Sequence, residues 1–231
     1  MVIPSIVQIG FGCTVVFVLF AYLVTFHRVD TYRKKFRHFL LVWLALTGIL
    51  GIRHFFEDFQ TMPPRVPLFI FIFSLSLAAL AYWMHKQNAL ARVQQFHLIL
   101  FQGFRIPVEI LLGMLAQASL LPIEMSFHGR NFDMLIGITA LPLAYWVRKK
   151  GEKATKNILL AWNILGLLMV SNVVIHGMLS APYPFQAMKL SMDNFIIGYF
   201  PVVWLPVFLV PTAYFFHIIS LMNWKARTQS S

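Results

Sequence analysis

The sequence predicts an all-α, polytopic membrane protein, a bundle of seven transmembrane helices, and three observations lead to this fold class. Mean hydropathy over the 231 residues is +0.72, and only 12% of the residues are charged, about half the share in soluble domains. Apolar stretches long enough to cross a bilayer recur between short polar loops. Basic residues concentrate in alternate loops. We therefore expect residues 1–231 to form a single transmembrane helical domain.

The lengths of the apolar stretches define the predicted helices. A helix needs about 20 predominantly apolar residues to cross the hydrocarbon core of a bilayer. Seven stretches of the sequence meet this requirement, and none of the connections resembles a linker between domains. The predicted spans are about 4–26, 37–55, 66–84, 96–120, 132–148, 157–179 and 199–222.

The distribution of lysine and arginine predicts the orientation. The loops after the first, third and fifth spans, together with the C-terminal tail, hold 14 of the 19 basic residues. Loops rich in basic residues stay on the cytoplasmic side, so we expect the N-terminus outside and the C-terminus in the cytoplasm of a cell membrane. Because topology explains the net charge of +11, we predict membrane lipid as a partner and no nucleic acid.

Two charged residues lie inside the fourth predicted span, in the stretch FRIPVE. Arg105 and Glu109 are four residues apart, so they lie about 40° apart on a helix, and Gln102 extends the same narrow polar stripe. A charge at this depth costs several kcal/mol and normally faces the interior of a bundle. The spacing predicts that the two charges pair with each other. Pro107 lies between them and is expected to open the helix locally.

Polar residues on the last two spans are candidates to join this site. On the sixth span Asn172 and His176 share a face, and on the seventh Tyr214 and His217 do so. With Gln102, Arg105 and Glu109 they form the predicted ligand-binding or proton-coupling set. The alternative is that they only supply hydrogen bonds between helices.

The loops predicted to face outside carry acidic residues and histidines. At the end of the second span, i, i+4 spacing predicts the pairs Arg53–Glu57 and His54–Asp58. The segment HGRNFD, residues 128–133, leads into the fifth span, with Asn131 or Asp133 as its N-cap. This surface is either a solvated rim or a polar mouth that collects a ligand, and the residues predicted to form the mouth are His54, Asp58, Arg130 and Asp133.

No recognised catalytic motif occurs in the sequence. It lacks a Walker loop, a dinucleotide fingerprint, a GxSxG elbow and an HExxH zinc motif, and its single cysteine, Cys13, excludes a disulfide framework. These observations favour a role other than catalysis but do not decide whether the protein is an enzyme. They predict no particular metal ligands and assign no cofactor. Non-local sites stay open: a metal held by His54, His128 and His176 with Asp58 or Asp133, or a haem held by two of His38, His97 and His217.

Three segments resemble an uncharacterised group of bacterial seven-helix integral membrane proteins. They are FRIPVEILL at residues 104–112, GRNFDMLIGITA at 129–140 and WLPVFLVP at 204–211. The resemblance extends from the fourth to the seventh predicted span. It implies a location in the bacterial cytoplasmic membrane and supplies no activity or ligand.

Three classes of function are consistent with the sequence. The first is a transporter or receptor that binds a small ligand, ion or proton at Arg105 and Glu109, in a cavity open chiefly to the outside. The second is a structural or sensory membrane subunit, in an oligomer or with a partner subunit, in which the pair only fixes helix packing. The third is a metal- or haem-dependent membrane enzyme.

Overall fold

A computed structural model describes residues 1–152 and 154–229, with the side chains of residues 30–33 and 224–229 excepted. Several basic residues of the predicted cytoplasmic surface lie outside this description. They are Lys153 and the side chains of Arg33, Lys225 and Arg227.

The described residues form seven helices, which are joined by loops and short 3-10 turns. The described ranges contain no β-strand, so the all-α prediction is confirmed for them. The fourth helix is continuous but has a 3-10 turn at Phe101–Phe104, just before Pro107. The seventh begins with the π-helical turn Leu205–Leu209 and continues as the α-helix Val210–Gln229. The other bounds are α1 Ser5–Thr25, α2 Asp30–Ile52, α3 Arg65–Lys86, α4 Gln95–Gln117, α5 Asp133–Lys150 and α6 Lys156–Ser180.

Six of the seven helices in the described ranges are long and apolar enough to cross a membrane, and α5 is the exception. This helix has 18 residues, of which Asp133 at its start and residues 148–150 at its end are charged. Its uncharged part, residues 134–147, is only about 21 Å long. That the fifth predicted span crosses the membrane, and with it the total of seven spans, therefore stays a prediction.

Five helix ends lie three to seven residues from the predicted bounds, and two of these are the start of α2 at Asp30 rather than 37 and the end of α7 at Gln229 rather than 222. The second helix ends at Ile52 rather than near residue 55, because His54 adopts a left-handed conformation with φ 59°. The fourth ends at Gln117 rather than near 120, and Ser119, with φ 54°, is left-handed there. The seventh begins at Leu205 rather than at 199. A left-handed residue cannot continue an α-helix, and a hydropathy pattern does not show where such a residue occurs. This explains the ends of α2 and α4.

The helices are apolar on the outside and hold their polar side chains inside. Val16, Val42 and Phe71 are each more than 60% exposed, whereas Gln102 and His217 are fully buried. Exposed aliphatic and aromatic residues around a polar interior suit contact with acyl chains. The helical apolar bundle therefore fits an integral membrane protein.

Helix α5 packs antiparallel against the first half of α4. The Arg148 guanidinium, near the end of α5, lies over the ring of Phe96, near the start of α4, at 5.2 Å. Further along, Leu141 lies next to Gly103, where an added Cβ would be 3.7 Å from its side chain. At this register, α5 begins beside the middle of α4.

The chain between α4 and α5 must consequently fold back into the bundle. Asp133, the first residue of α5, contacts Arg105, whereas α4 continues for twelve more residues, about 18 Å, to Gln117. We call residues 118–132 the re-entrant segment, because it returns from the end of α4 to the depth of Arg105. This segment places polar residues at mid-helix depth.

A break in α7 is compensated by a side chain of α2. Pro211 has no backbone N–H, so the carbonyl of Val207, four residues earlier, loses its usual partner in the helix. The indole Nε1 of Trp43 donates a hydrogen bond to this carbonyl at 3.1 Å. The π-helical turn lies at the same place, as is common where the regular ladder is interrupted.

We predict that Trp43→Phe destabilises the fold by about 1–3 kcal/mol, because it leaves the buried Val207 carbonyl unpaired. A phenyl ring keeps the stacking of Trp43 on Phe73, whose centroids are 5.0 Å apart. Thermal or denaturant unfolding in detergent measures the change. The control is Trp146→Phe, which alters an exposed ring; an equal loss in both variants would contradict the assigned role of Trp43.

Candidate functional site

A buried ion pair joins α4 to α5. Arg105 Nη1 lies 2.5 Å from Asp133 Oδ1, and Arg105 Nε donates a hydrogen bond to Gln102 Oε1 at 3.1 Å. Gln102 Nε2 in turn donates to the backbone carbonyl of Ala213 on α7 at 3.1 Å. Only 1% of the Arg105 surface is exposed. One arginine therefore connects three helices in the interior of the bundle.

The predicted pairing of Arg105 with Glu109 is wrong. Glu109 Oε1 instead accepts a hydrogen bond from Asn131 Nδ2 at 2.5 Å. Side chains on an α-helix point back towards its N-terminus, so the guanidinium extends towards Gln102, one turn before it, and away from Glu109, one turn after it. The i, i+4 spacing brings the Cβ atoms together but does not decide where the charged ends meet.

Asn131 of the re-entrant segment binds both carboxylate-bearing helices. Its Nδ2 donates to Glu109 and, at 3.1 Å, to the carbonyl of Met125, while its Oδ1 accepts from the backbone N–H of Asp133 at 3.1 Å. The sequence predicted Asn131 or Asp133 as the N-cap of this helix. The cap position is Phe132, so this prediction is wrong by one residue, although Asn131 does satisfy the first free backbone donor of α5.

Two charged atoms of this site have no hydrogen-bond partner among the described residues. They are Arg105 Nη2 and Glu109 Oε2, both buried. A cavity of about 20 Å³ is lined by Arg105, Glu109 and Asp133. About 10–15 Å³ suffices for one water molecule, so the cavity has room for a single water between the charged groups. Its remaining walls are largely apolar and come from Phe104, Val108, Leu112, Val170, Val173, Leu205, Leu209, Val210 and Ala213.

The charges of this buried cluster do not balance. We define the Arg105 cluster as Arg105, Glu109 and Asp133, which hold one guanidinium and two carboxyl groups. When both carboxyls are ionised, the cluster has one more negative than positive charge. An uncompensated charge in a protein interior costs several kcal/mol. The cluster is therefore suited to hold one additional proton or monovalent cation.

Arg105 and Glu109 do not line the open cavity that the sequence predicts. They are 1% and 3% exposed, and Asn131 of the re-entrant segment contacts Glu109; which side of the bundle faces outside stays a prediction. The loop before α7 fastens this segment, since Ser191 donates to both carboxylate oxygens of Glu124, from N at 3.1 Å and from Oγ at 2.8 Å. Partial burial raises the pKa of Glu124, but hydrogen bonds from its own backbone N–H and from Ser191 outweigh this effect and lower the pKa below its ordinary value.

Three of the other predicted site residues lie around the cluster rather than in it. Tyr214 shares a hydrogen bond with Ser171 at 2.8 Å, within electrostatic range of Arg105. Asn172 Nδ2 donates to the carbonyl of Arg130 at 3.0 Å and so ties α6 to the re-entrant segment. His176 Nδ1 lies 2.9 Å from the carbonyl of Asn172, within its own helix. Asn172 and His176 therefore have tethering contacts and do not reach Arg105.

His217 belongs to a second buried polar network. Its Nδ1 donates to Asn163 Oδ1 at 2.8 Å, and Asn163 Nδ2 donates to Ser220 Oγ at 2.9 Å. Gln95 at the start of α4 hydrogen-bonds the same hydroxyl. The ring of His217 packs so closely on Gly166 that a side chain there would overlap it. Gln95 and Ser220 do not stand out in the sequence, because one polar residue near a predicted helix end is an ordinary feature.

The residues of the predicted outer mouth do not come together. The pairs Arg53–Glu57 and His54–Asp58 are wrong, because α2 ends before them. His54 Nδ1 lies 2.6 Å from Glu57 Oε1, and Asp58 Oδ2 lies 2.8 Å from Arg65 Nη2. The Arg130 side chain is exposed, and Asp133 is buried in the Arg105 cluster.

Asp58 organises the loop between α2 and α3. Its carboxylate accepts hydrogen bonds from the Thr61 hydroxyl and from the backbone N–H groups of Gln60 and Thr61, besides the contact with Arg65. The Thr61 hydroxyl bond first, and then the other donors, lower the pKa of Asp58 below its ordinary value. These contacts define a structured turn with its acceptor oxygens already engaged.

No group of three or more His, Cys, Asp or Glu is placed to hold a metal ion within the described ranges. Of the histidines considered for haem, His38 is exposed and its Nδ1 lies 2.6 Å from the Lys34 carbonyl. His97 packs against the ring of His27 with centroids 6.4 Å apart. His217 is engaged with Asn163, as described above.

A family profile matches residues 63–224, more than two thirds of the chain. The chain belongs to the family described as domain of unknown function DUF8737. The match includes α3–α6, α7 as far as residue 224 and the whole Arg105 cluster, whereas α1 and α2 precede it. No curated protein and no solved structure matches the chain. For this DUF8737 chain, the site geometry is therefore the basis for inferring a function.

We predict that Arg105→Met destabilises the DUF8737 fold by about 3–5 kcal/mol, because two buried carboxyl groups then lose their only guanidinium. Asp133→Asn costs less, since Glu109 still balances the arginine. Denaturant unfolding in detergent measures both. Arg130→Met, at an exposed arginine of the re-entrant segment, is the matched control and should stay within about 0.5 kcal/mol of the wild type. Stability of Arg105→Met equal to this control would contradict the buried pairing.

Proposed function

We propose that this DUF8737 chain is a seven-span integral membrane protein that binds a proton at the Arg105 cluster in order to couple it to the binding or transport of a small solute or ion. The N-terminus would lie outside and the C-terminus in the cytoplasm of a bacterial membrane. The single observation that carries the site assignment is the charge imbalance, one guanidinium against two carboxyls, around a cavity of water size.

The proposed orientation rests on the basic loops. Lysine and arginine are concentrated where α1 meets α2, α3 meets α4 and α5 meets α6, and in the last residues of α7, and such basic segments remain cytoplasmic. Helix α5 would enter from mid-membrane and end on the cytoplasmic side with Arg148, Lys149 and Lys150. The re-entrant segment would then lie on the outer side above α5, with Leu121, Met125, Ser126 and Asn131 buried in the protein and Phe127, His128 and Arg130 exposed.

The size and chemistry of the cavity favour a proton over larger occupants. About 20 Å³ accommodates one water molecule and excludes a polyatomic solute. A divalent cation takes six or more oxygen ligands, whereas the three charged residues include a guanidinium that repels cations. A proton on Glu109 neutralises the cluster without any rearrangement. A cavity water next to Glu109 Oε2 would provide the route by which the proton arrives.

Proton binding would be coupled to the re-entrant segment through Asn131. A hydrogen bond to an ionised carboxylate is roughly twice as strong as one to a neutral acceptor, so protonation of Glu109 weakens its bond from Asn131. Asn131 also holds the first backbone N–H of α5. A change of charge at Glu109 therefore acts on the segment that closes the outer side of the site, which is the local event that a two-state transporter or sensor needs.

A structural subunit is the second candidate, and one observation favours it. Arg105 has direct or one-step contacts to α4, α5 and α7, which is also what a purely architectural residue would make. A structural role requires neither exchange of a proton at Glu109 nor access of water to the cavity. The two candidates therefore differ in whether Glu109 titrates in the folded protein.

We predict that a protonated carboxyl group at Glu109 appears and disappears reversibly with pH in the folded protein. Infrared difference spectroscopy of the purified protein in lipid detects the carbonyl stretching band of such a group, and Glu109→Gln should abolish it. Glu124→Gln, which removes a carboxyl from the loop surface, is the control and should leave the band intact. A folded Glu109→Gln protein with an unchanged pH-difference spectrum would contradict proton binding and leave the structural role.

A further inference from the structure

An apolar groove runs along the outer face of α1. We call it the α1 groove; it has a volume of about 650 Å³, within the range of small-molecule sites. Gly12 and Cys13 are its smallest lining residues, and a Cβ added at Gly12 would meet no atom within 4 Å. Its lining residues are Ile9, Gly12, Cys13, Val16, Phe17 and Phe20. The groove has the shape and polarity for one hydrocarbon chain lying along the helix.

Four nitrogen-rich side chains gather where α1 ends. His27 and His97 have ring centroids 6.4 Å apart, and Arg28 Nε donates to His27 Nε2 at 3.2 Å. Arg148 stacks on Phe96, the neighbour of His97 in sequence, and both arginines lie within electrostatic range of the His97 imidazole. We call His27, Arg28, His97 and Arg148 the basic cluster.

A chain of aromatic contacts connects the α1 groove to the basic cluster. The rings of Phe17 and Phe20, at one end of the groove, contact the ring of Phe101 with centroids 5.8 and 6.4 Å apart. Phe101 in turn contacts His97, one helical turn earlier on α4, at 6.0 Å. An amphiphile could therefore place its apolar chain in the groove and its polar end on the cluster.

The basic cluster has positive charge that the protein itself does not neutralise. None of the ion pairs between described side chains involves Arg28 or Arg148. Arg28 faces Gln94, whose amide oxygen, once oriented towards the guanidinium, accepts from both Nη atoms at 2.9 and 3.2 Å. Both arginines are exposed. The second N–H of each Arg28 Nη atom, and the guanidinium of Arg148, remain available to an anion approaching from the membrane surface.

We infer that this surface is a binding site for one anionic phospholipid, with an acyl chain in the α1 groove and the phosphate on the basic cluster. Basic residues at the membrane surface attract anionic lipids, with about a fivefold gain in binding for each lysine or arginine. The guanidinium groups also match the geometry of phosphate oxygens. This inference does not depend on proton binding at the Arg105 cluster.

A lipid fits this surface better than a second copy of the chain. In a two-fold symmetric dimer with its axis across the bilayer, each α1 groove faces the other groove. The same operation brings the two basic clusters together at one end of the contact, where like charges repel. A phosphate headgroup instead supplies the missing negative charge.

Native mass spectrometry of the full chain in detergent tests the site by titration with phosphatidylglycerol and, separately, phosphatidylcholine. The wild type should retain one phosphatidylglycerol in preference to phosphatidylcholine. Arg28→Gln and Arg148→Gln should each weaken phosphatidylglycerol binding about fivefold. Lys86→Gln, an exposed basic residue at the end of α3, is the matched control and should have little effect.

A second pair of variants tests the groove. Gly12→Leu should fill the α1 groove and reduce lipid retention, whereas Gly113→Leu, at another glycine with no atom within 4 Å of the added Cβ, should not. Equal retention of phosphatidylglycerol and phosphatidylcholine would overturn the inference. So would equal effects of Lys86→Gln and Arg28→Gln, or a lipid-independent dimer that Gly12→Leu abolishes, since that outcome would assign the groove to a second copy.

Discussion

The buried contact between Arg105 and Asp133 is the interaction on which the rest of the interior depends. It joins residues 28 positions apart in sequence and sets the depth at which α5 begins. Because α5 begins beside the middle of α4, the re-entrant segment has to descend into the bundle, and Asn131 is brought to Glu109. Each carboxyl of the cluster is thus held by a partner on another segment, and the site assembles only when α4, α5 and this segment are all in place.

The helices and their order follow from composition and hydropathy, since an apolar stretch of about 20 residues has few alternatives to a buried or lipid-facing helix. The stretch FRIPVE also indicated an interior polar site at Arg105 and Glu109. The partner of the arginine did not follow, because helical spacing describes neighbours on one helix and Asp133 lies on another. The depth at which α5 begins could not be predicted either. Residues 132–148 are long and apolar enough to predict a full span, whereas in the structure Asp133 lies at the level of Arg105.

The interior separates into two polar regions with different chemistry. The Arg105 cluster holds formal charges that do not balance and borders a water-sized cavity. The network of His217, Asn163 and Ser220 contains no carboxylate and satisfies most of its hydrogen bonds within the protein. Neutral networks of this kind fix helix packing, whereas a cluster with an excess charge responds to a proton. Under the proposed function, the Arg105 cluster would be the proton-responsive site and the network around His217 an architectural one.

A double-mutant cycle on the unfolding free energy tests the pairing most directly. Arg105→Met is combined with Asp133→Asn in one cycle and with Glu109→Gln in a second, each measured by denaturant unfolding in the same detergent. We predict a coupling energy of about 2–3 kcal/mol between Arg105 and Asp133, and a smaller one between Arg105 and Glu109. A larger coupling to Glu109, with none to Asp133, would contradict the cross-helix pair and the position of the re-entrant segment that follows from it.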